Sequence, residues 1–428
     1  MPPFGRRSFL AAGAVLTAGA GGCARPVTEA YDDGPAWGWT RQVGPLQLGV
    51  THTEYSLAPS DPPEALARGR AVLAAAGPGN QHLMGWGALN PEPAPGRDDF
   101  SSLDPRMALG TSVLTIAAAP DWMKGGAPGT TDFSRIEVAP RPEHHDDLAA
   151  LAARAVLRYP QVRTVLVWNE LKGFFDEARN AWDVVAYTDL CDRVTAAVKA
   201  ARPEVVVGGP YAPVDLWASA EVAPSDVRGP WGVADGRALA AVEYWLDRQR
   251  GADLVVVDGR TATRDRGVVT DPVAAVESFA AVTRWLRART DLPVWWAEFY
   301  PEPVGSASDA DDPTGAPRAA VTLAAVAALA RAGAAGALLW QPQAAPAFPY
   351  AALWTDTADP DGGRSGALTA PWTWLVPRLA AGTVDLGRSP DGRVLGFRGL
   401  DGVLLVNLGA APVEVGGTSL PSFGAAVR

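Results

Sequence analysis

The stretch that decides the fold is Val165-Leu166-Val167-Trp168-Asn169-Glu170, VLVWNE, in which an apolar run leads directly into an amide and a carboxylate. An apolar run without alternation is typical of a parallel strand that is buried on both faces. Glutamate is almost never fully buried unless it is paired. The stretch therefore predicts a buried strand with a polar site where the strand leaves the core.

Seven other segments resemble this one, and helical patterns separate them. The predicted strands are Leu46–Thr51, Gln81–Ala88, Ser112–Ala117, Val162–Trp168, Val205–Gly209, Leu254–Asp258, Pro293–Glu298 and Ala335–Trp340. The predicted helices are one that opens at Asp61, then Asp146–Tyr159, Trp182–Ala201, Gly236–Arg250, Asp271–Arg289 and Pro317–Ala332. Strands that alternate with helices in this way predict an α/β fold, a (β/α)8 TIM barrel. The links that follow the strands are long, as expected where such loops build a functional face.

The chain divides into four parts by composition. Residues 1–26 are an export signal, 27–45 a tail, 46–381 the barrel, and 382–428 a small β appendage. The turn signals Pro390-Asp391-Gly392 and Leu400-Asp401-Gly402 indicate hairpins in the appendage. A net charge of −10, with no basic cluster after the first residues, argues against nucleic acid as a partner.

The N-terminus carries the features of an exported protein. Arg6-Arg7 precede a short apolar run, which predicts a twin-arginine signal peptide and an extracellular or cell-surface location. Cys23 follows Ala20-Gly21-Gly22, a setting that resembles a lipoprotein cleavage site and would attach the protein to the membrane through a lipid. The leucine usual three residues before that cysteine is absent, and ordinary cleavage with secretion is the alternative. The other cysteine, Cys191, lies on an apolar helix face and is predicted to be core.

Two glutamates end opposite strands of the predicted barrel. Glu170 ends the fourth strand, and Glu298, in PVWWAEFY (293–300), ends the seventh. Glycosidic bond cleavage needs such a pair, because one carboxyl must protonate the leaving oxygen while the other attacks or stabilises the anomeric carbon. The alternative is a pair of salt-bridged residues on the rim.

These motifs resemble those of the retaining glycoside hydrolases of clan A, above all glycoside hydrolase family 39, the β-xylosidases and α-L-iduronidases. APDWM (119–123), GGPYAP (208–213) and LLWQP (338–342) are similar to that family as well. The resemblance implies that Glu170 is the general acid/base and Glu298 the nucleophile. It also implies that Asn169 contacts the sugar 2-hydroxyl and that Trp340 forms the floor under the ring.

Other residues near the strand ends are further candidates for substrate binding. They are Trp86, Trp122 and Trp296 as stacking faces, with core packing as the alternative for each, and His52, Tyr300 and Asp258. Clan members usually carry an Arg at the end of strand two and a His or Tyr at the end of strand six. This chain has neither, and Tyr300 or His52 is expected to take the missing role.

The sequence thus predicts an exported retaining glycoside hydrolase that acts on an oligo- or polysaccharide. The departures at strands two and six leave open a catalytically silent carbohydrate-binding lipoprotein on the same barrel. A cell-surface scaffold that binds protein is a third hypothesis. No cofactor and no metal site is expected, since His144-His145 precede a helix, where neighbouring side chains diverge, and strand one carries His52-Thr53-Glu54 rather than a pair of histidines.

Overall fold

A computed structural model of the protein describes residues 29–31, 35–41, 44–52, 56–84, 90–267, 271–301, 315–345 and 351–428. Eight parallel strands close into a barrel in which every strand pairs with its neighbours in chain order. In chain order they are Gln47–Thr51, Gly79–Leu83, Thr111–Ile116, Thr164–Val167, Val206–Pro213, Leu254–Arg260, Val294–Tyr300 and Gly336–Trp340, called strands one to eight below. The predicted (β/α)8 fold is confirmed.

Two strand boundaries differ from the prediction in ways that matter for the site. Strand two begins at Gly79 and ends at Leu83, so it is shifted towards the N-terminus of the predicted segment. Strand five continues past Gly209 to Pro213 and therefore carries Tyr211 inside the barrel wall. The apolar count in GGPYAP is too low to mark a strand by sequence pattern alone.

Helices surround the barrel and pack against its outer face. They are Pro63–Leu73, Asp104–Met107, His145–Arg158, Val184–Ala201, Gly236–Arg248, Pro272–Ala275, Glu277–Arg287, Ala316–Ala332 and Thr369–Ala380. Asp183 and Asp235 begin two of them by accepting hydrogen bonds from the backbone N–H groups of Ala186 and Arg237. Among the described residues, no helix combines the length and the apolar character that crossing a bilayer requires.

The interior of the barrel is a packed core rather than a channel. Side chains that point inwards from successive strands form one cluster: Val113, Leu166, Tyr211, Leu254, Val256, Trp295, Ala297 and Leu338. Residues that alternate with them, such as Val165 and Val167, point outwards to the helices and join the large outer cluster. Because the interior is filled, a ligand can approach only at the carboxyl ends of the strands.

The C-terminal appendage consists of β-strands with a core of their own. A five-stranded sheet is formed, in spatial order, by Thr40–Arg41, Asp385–Arg388, Val394–Arg398, Val403–Asn407 and Ala425–Val427. A second, three-stranded sheet joins Glu29–Tyr31 to Val413–Val415 and Thr418–Leu420. Trp37 packs with Val394, Leu405, Val413, Val415 and Leu420, so residues before the barrel complete the appendage.

Candidate active site

Glu170 projects from a short, unusual piece of backbone after strand four. Trp168 and Glu170 both have left-handed backbone angles, with φ of 70° and 53°. Such conformations are uncommon for residues other than glycine and persist only where the surroundings impose them. Here the buried Trp168 donates from Nε1 to the carbonyl of Lys172 at 2.7 Å, which ties the segment together. The strand thus stops abruptly and leaves the Glu170 side chain at the barrel mouth, 22% exposed.

Glu298 enters the same mouth from strand seven because that strand contains one extra residue. Trp296 pairs with Val257 and Glu298 pairs with Asp258, so Ala297 has no partner of its own on strand six. A bulge of this kind re-aims the side chains that follow it. The Ala297 carbonyl accepts a hydrogen bond of 2.6 Å from the hydroxyl of Thr51, which fixes the bulge.

A buried chain of hydrogen bonds supports that contact from below. The Thr115 hydroxyl donates to Asn80 at 2.9 Å, and the Asn80 amide donates to the Thr51 hydroxyl at 3.1 Å. All three side chains are essentially inaccessible to solvent. Strands one, two and three are thereby connected to the backbone next to Glu298, and polar networks of this kind rigidify a core when every member is satisfied.

Tyr211 and His82 contact the Glu298 carboxylate. The Tyr211 hydroxyl donates to Oε1 at 2.9 Å, and Nε2 of His82 lies 3.6 Å from the same oxygen. Burial, followed by the charge of Glu298, raises the pKa of Tyr211 well above its usual value, so the phenol keeps its proton and remains a donor. Burial and the nearby cations Lys172 and Arg106 lower the pKa of His82 to about 3, so its ring is neutral at ordinary pH.

Asp258, at the end of strand six, is the third carboxyl group of the site. One oxygen from each of Glu170, Asp258 and Glu298 lies within 4.8 Å of an oxygen from each of the other two. Asp258 is 1% exposed, and its Oδ1 has no hydrogen-bond partner. Burial, reinforced by the charges of Glu170 and Glu298, raises its pKa well above the usual value.

Lys172 provides positive charge at the cluster. Its Nζ lies 3.1 Å from Oε2 of Glu170 and 3.6 Å from Oε1 of Glu137. Burial lowers the pKa of this lysine, but the charges of Glu170 and Glu298 outweigh burial and raise it. Three clustered carboxyl groups could ligate a cation in principle, but the ammonium of Lys172 already lies against one of them. The set therefore suits protons and an ammonium group better than a metal ion.

Three other predicted residues lie around this cluster. Asn169 is 1% exposed, and its side-chain carbonyl has no hydrogen-bond partner. The half-buried rings of Tyr300 and Trp340 lie against each other, with centroids 5.2 Å apart. These side chains follow strands four, seven and eight, so they belong to the same end of the barrel as the carboxylates.

The structure corrects the expected position of Trp296. Its ring is 1% exposed, donates from Nε1 to the hydroxyl of Thr283 at 3.0 Å, and meets Phe279 edge-on. Both partners belong to the helix Glu277–Arg287, so Trp296 lies between barrel and helix and offers no face to a sugar. The alternation of strand seven makes this unavoidable, since Trp295 occupies the inward position.

Trp122 and His52 are also covered by protein. Trp122 donates from Nε1 to the carbonyl of Glu92 at 3.0 Å and packs edge-on against His144, which leaves no open stacking face. His52 lies 3.0 Å from the hydroxyl of Ser56, and burial, with the charge of Arg106, lowers its pKa to about 4. It is therefore not the group that takes the missing role at Glu298. Trp86 and Cys23 lie outside the described residues.

A cavity of about 680 Å³ opens beside Glu170 and Asp258. Its aromatic lining residues are Phe175, Trp182, Trp217 and Tyr300, and its charged ones are Glu170, Lys172, Glu177, Asp215, Asp235, Arg237, Asp258, Arg260 and Arg264. The long loops after strands four, five and six provide most of this lining. A volume of this size is in the ordinary range for small-molecule sites.

Sequence reasoning missed Tyr211 and Lys172. Tyr211 belongs to GGPYAP, a motif that pointed to the correct strand without indicating that its tyrosine would face strand seven. The signal for Lys172 was its position two residues after Glu170. Neither contact can be derived from spacing, because each depends on a bulge or a left-handed turn.

Comparisons with known proteins agree with this architecture. No family profile matches the sequence, and no curated protein matches it. Solved structures do match. A monomeric β-xylosidase from Caulobacter crescentus shares 17% identity over 86% of this chain and 75% of its own, with a TM-score of 0.53. A GH39 enzyme from Xanthomonas axonopodis pv. citri shares 17% over 93% and 77%, with a TM-score of 0.52.

A glucosidase from Croceicoccus marinus is similar at 15% identity, over 89% of this chain and 78% of its own, with a TM-score of 0.52. At identities this low, the structural similarity establishes a shared fold and nothing further. The chain thus shares a (β/α)8 barrel fold with solved glycosidases, and structures of glycoside hydrolase family 39 are among those it resembles. The resemblance read from the sequence is confirmed at the level of the fold.

Proposed function

We propose that this protein is a retaining glycoside hydrolase that cleaves an O-glycosidic bond in an oligo- or polysaccharide. The observation that carries the proposal is the approach of the Glu170 and Glu298 carboxyl oxygens to within 4.8 Å of each other. Carboxyl groups about 5–5.5 Å apart suit double displacement, whereas inversion needs about 6.5–9.5 Å to admit a water molecule. The spacing supports retention.

In this proposal Glu298 is the nucleophile. Its carboxylate attacks the anomeric carbon, and the bond from that carbon to the leaving oxygen breaks. Glu170 gives a proton to the leaving oxygen and later removes one from the water that releases the sugar from Glu298. The hydrogen bond from Tyr211 positions the attacking carboxylate. It supplies the contact that clan members usually make from strand six.

Substrate contacts in the proposal come from the residues around the three carboxyl groups. The amide of Asn169 can both donate to and accept from a sugar hydroxyl. Trp340 would lie under the sugar ring, with Tyr300 against its edge. The cavity beside Glu170 would receive the leaving part of the substrate, since the acid must face the departing oxygen.

The test is to incubate the purified protein with a panel of activated 2-deoxy-2-fluoro glycosides and to locate any adduct by peptide mass spectrometry. A glycosyl adduct on Glu298 is the expected result, and it also names the sugar. Glu170→Gln and Glu298→Gln are expected to abolish turnover. Glu177→Gln is the matched control, because Glu177 is another glutamate that lines the same cavity. Saccharide binding in calorimetry without any turnover or adduct would support a silent binding module instead.

The proposal includes export by the twin-arginine route and attachment through a lipid on Cys23. The motif Arg6-Arg7 and the setting of Cys23 support it. Replacing both arginines by lysine is expected to keep the protein inside the cell. Metabolic labelling with palmitate, with Cys23→Ser as the control, tests the anchor, and secretion of unlabelled protein would contradict it.

A further inference from the structure

The arrangement of charges around Glu170 raises a problem for the proposed reaction. A general acid must hold a proton when the substrate arrives. The ammonium of Lys172 lies 3.1 Å from Oε2 of Glu170, so this oxygen already accepts from a cation of the protein. The question is therefore which group of the cluster supplies the proton that Glu170 passes to the leaving oxygen.

Asp258 has the opposite environment. It is 1% exposed, no hydrogen bond reaches Oδ1, and Glu170 and Glu298 both lie within 4.8 Å. The charged and titratable groups around it are Glu170, Glu298, Asp215, Lys172, Tyr211 and Tyr300. The cation among these is Lys172, and it contacts Glu170. The arginines that line the same cavity are Arg237, which pairs with Asp235, Arg264, which pairs with Asp215, and Arg260. A buried carboxyl between two carboxylates, with no ion pair to it among the described residues, is held in its neutral form.

We propose that Asp258 stores the proton of the carboxyl cluster and supplies it to Glu170 when substrate binds. The inference rests on the proposed function, since it assigns the source of the proton for that reaction. Asp258 is a positioning residue in this scheme, because it acts through Glu170 and not on the substrate itself.

The proton balance closes over one catalytic cycle. The O–H bond of Asp258 breaks and its proton moves to a Glu170 oxygen, across a gap that one water molecule can bridge. Glu170 passes the proton to the glycosidic oxygen as the bond to the anomeric carbon breaks and Glu298 bonds to that carbon. In the second half, Glu170 takes a proton from the attacking water, the bond to Glu298 breaks, and the proton returns to Asp258.

The substitution Asp258→Asn tests this, because an asparagine has nearly the same shape but cannot release a proton. Rates would be measured on the 2,4-dinitrophenyl and the phenyl glycoside of the sugar that labels Glu298. Phenoxide is a poor leaving group and needs protonation in order to depart, whereas 2,4-dinitrophenoxide departs without it. We expect kcat/KM to fall about 100-fold for the phenyl glycoside, the lower end of what general acid catalysis contributes, and to change little for the other.

Asp192→Asn is the matched control. Asp192 belongs to the helix Val184–Ala201, is neither a lining residue of the cavity nor one of the three clustered carboxyl groups, and accepts a hydrogen bond of 2.8 Å from the backbone N–H of Arg250. Its loss is expected to leave the ratio between the two substrates unchanged. The alkaline limb of the pH–rate profile should also move to lower pH in Asp258→Asn alone, since the cluster then binds one proton fewer.

A second measurement does not depend on the activity of the variant. Infrared spectra of the wild-type protein with 13C-labelled aspartate should show the carbonyl band of a protonated carboxyl at pH 7, absent from Asp258→Asn. Absence of that band in the wild type, or an equal fall on both substrates, would overturn the proposal. Both results leave the Glu298 adduct intact, whereas failure of the proposed function would remove the adduct from the wild-type protein itself.

Discussion

Replacing Tyr211 by Phe is the sharpest test of how Glu298, the proposed nucleophile, is held. The change removes one oxygen from a fully buried ring and with it the 2.9 Å hydrogen bond to Oε1 of Glu298. A hydrogen bond to a charged group contributes about 1.5–3 kcal/mol. Because burial and Glu298 hold the pKa of Tyr211 well above its usual value, the wild-type phenol donates throughout the working pH range.

Loss of this hydrogen bond should displace the acid limb of the pH–rate profile in a defined direction and by a defined amount. The hydrogen bond favours the ionised carboxylate, so without it the nucleophile is protonated at a higher pH. A free energy of about 1.5–3 kcal/mol corresponds to about one to two pH units, because one unit is worth about 1.4 kcal/mol. The acid limb of the kcat/KM profile should therefore move up by about one to two pH units.

The assay is a pH–rate profile on the activated glycoside that labels Glu298, measured for the wild type and both tyrosine variants. Tyr187→Phe is the matched control, because Tyr187 is equally buried but donates to the backbone carbonyl of Val167 at 2.8 Å. It should lower stability without moving the acid limb. An unchanged acid limb in Tyr211→Phe, or the same displacement in both variants, would refute the reasoning.

Three further outcomes follow from the burial of particular side chains. His52 has a pKa of about 4 in the folded protein against 6.5 when unfolded, so it contributes stability that is fully present above pH 6.5 and is lost as the pH falls towards 4. Between pH 7 and pH 4.5, denaturant titrations should show a loss about 2.5 kcal/mol smaller in His52→Gln than in the wild type, and an equal loss in both proteins would contradict this. Trp296→Ala should lower the free energy of unfolding by about 3–5 kcal/mol and leave KM unchanged. Trp340→Ala should raise KM about tenfold. A raised KM in Trp296→Ala would contradict the position of Trp296 between the barrel and the helix. Burial raises the pKa of Cys191 to about 11, so its thiol should not react with a thiol reagent at pH 8 in the native protein. In a Cys23→Ser background, the unfolded protein should react with one equivalent of the reagent.

The two principal departures from the family pattern have a structural answer. Strand six lacks the expected His or Tyr, yet a tyrosine hydroxyl reaches Glu298 from strand five. Strand two lacks the expected Arg, and His82 of that strand lies 3.6 Å from the same carboxylate as a neutral ring. A neutral ring in place of a guanidinium leaves the cluster with less positive charge. The raised pKa of Asp258 comes from its burial, followed by the charges of Glu170 and Glu298.

The sequence by itself determined the barrel and its functional end. Near-continuous apolar runs such as Val165–Val167 are typical of strands buried on both faces, and their alternation with helices admits few other arrangements. Glu170 and Glu298 were placed at one end of the barrel because parallel strands share the direction in which they end. These conclusions depend only on the order of strands and helices along the chain, and that order can be read directly from the sequence.

Only the tertiary structure decided which groups meet. Trp295 and Trp296 are neighbours in sequence, yet one fills the barrel and the other packs on a helix, because the strand period is two. The extra residue Ala297 turns Glu298 inwards, and the long strand five brings Tyr211 to it. The proximity of Lys172 and Asp258 to Glu170 depends in the same way on backbone turns that residue spacing does not encode. The raised pKa of Asp258 follows from those contacts, because its burial and the charges of Glu170 and Glu298 favour the protonated form.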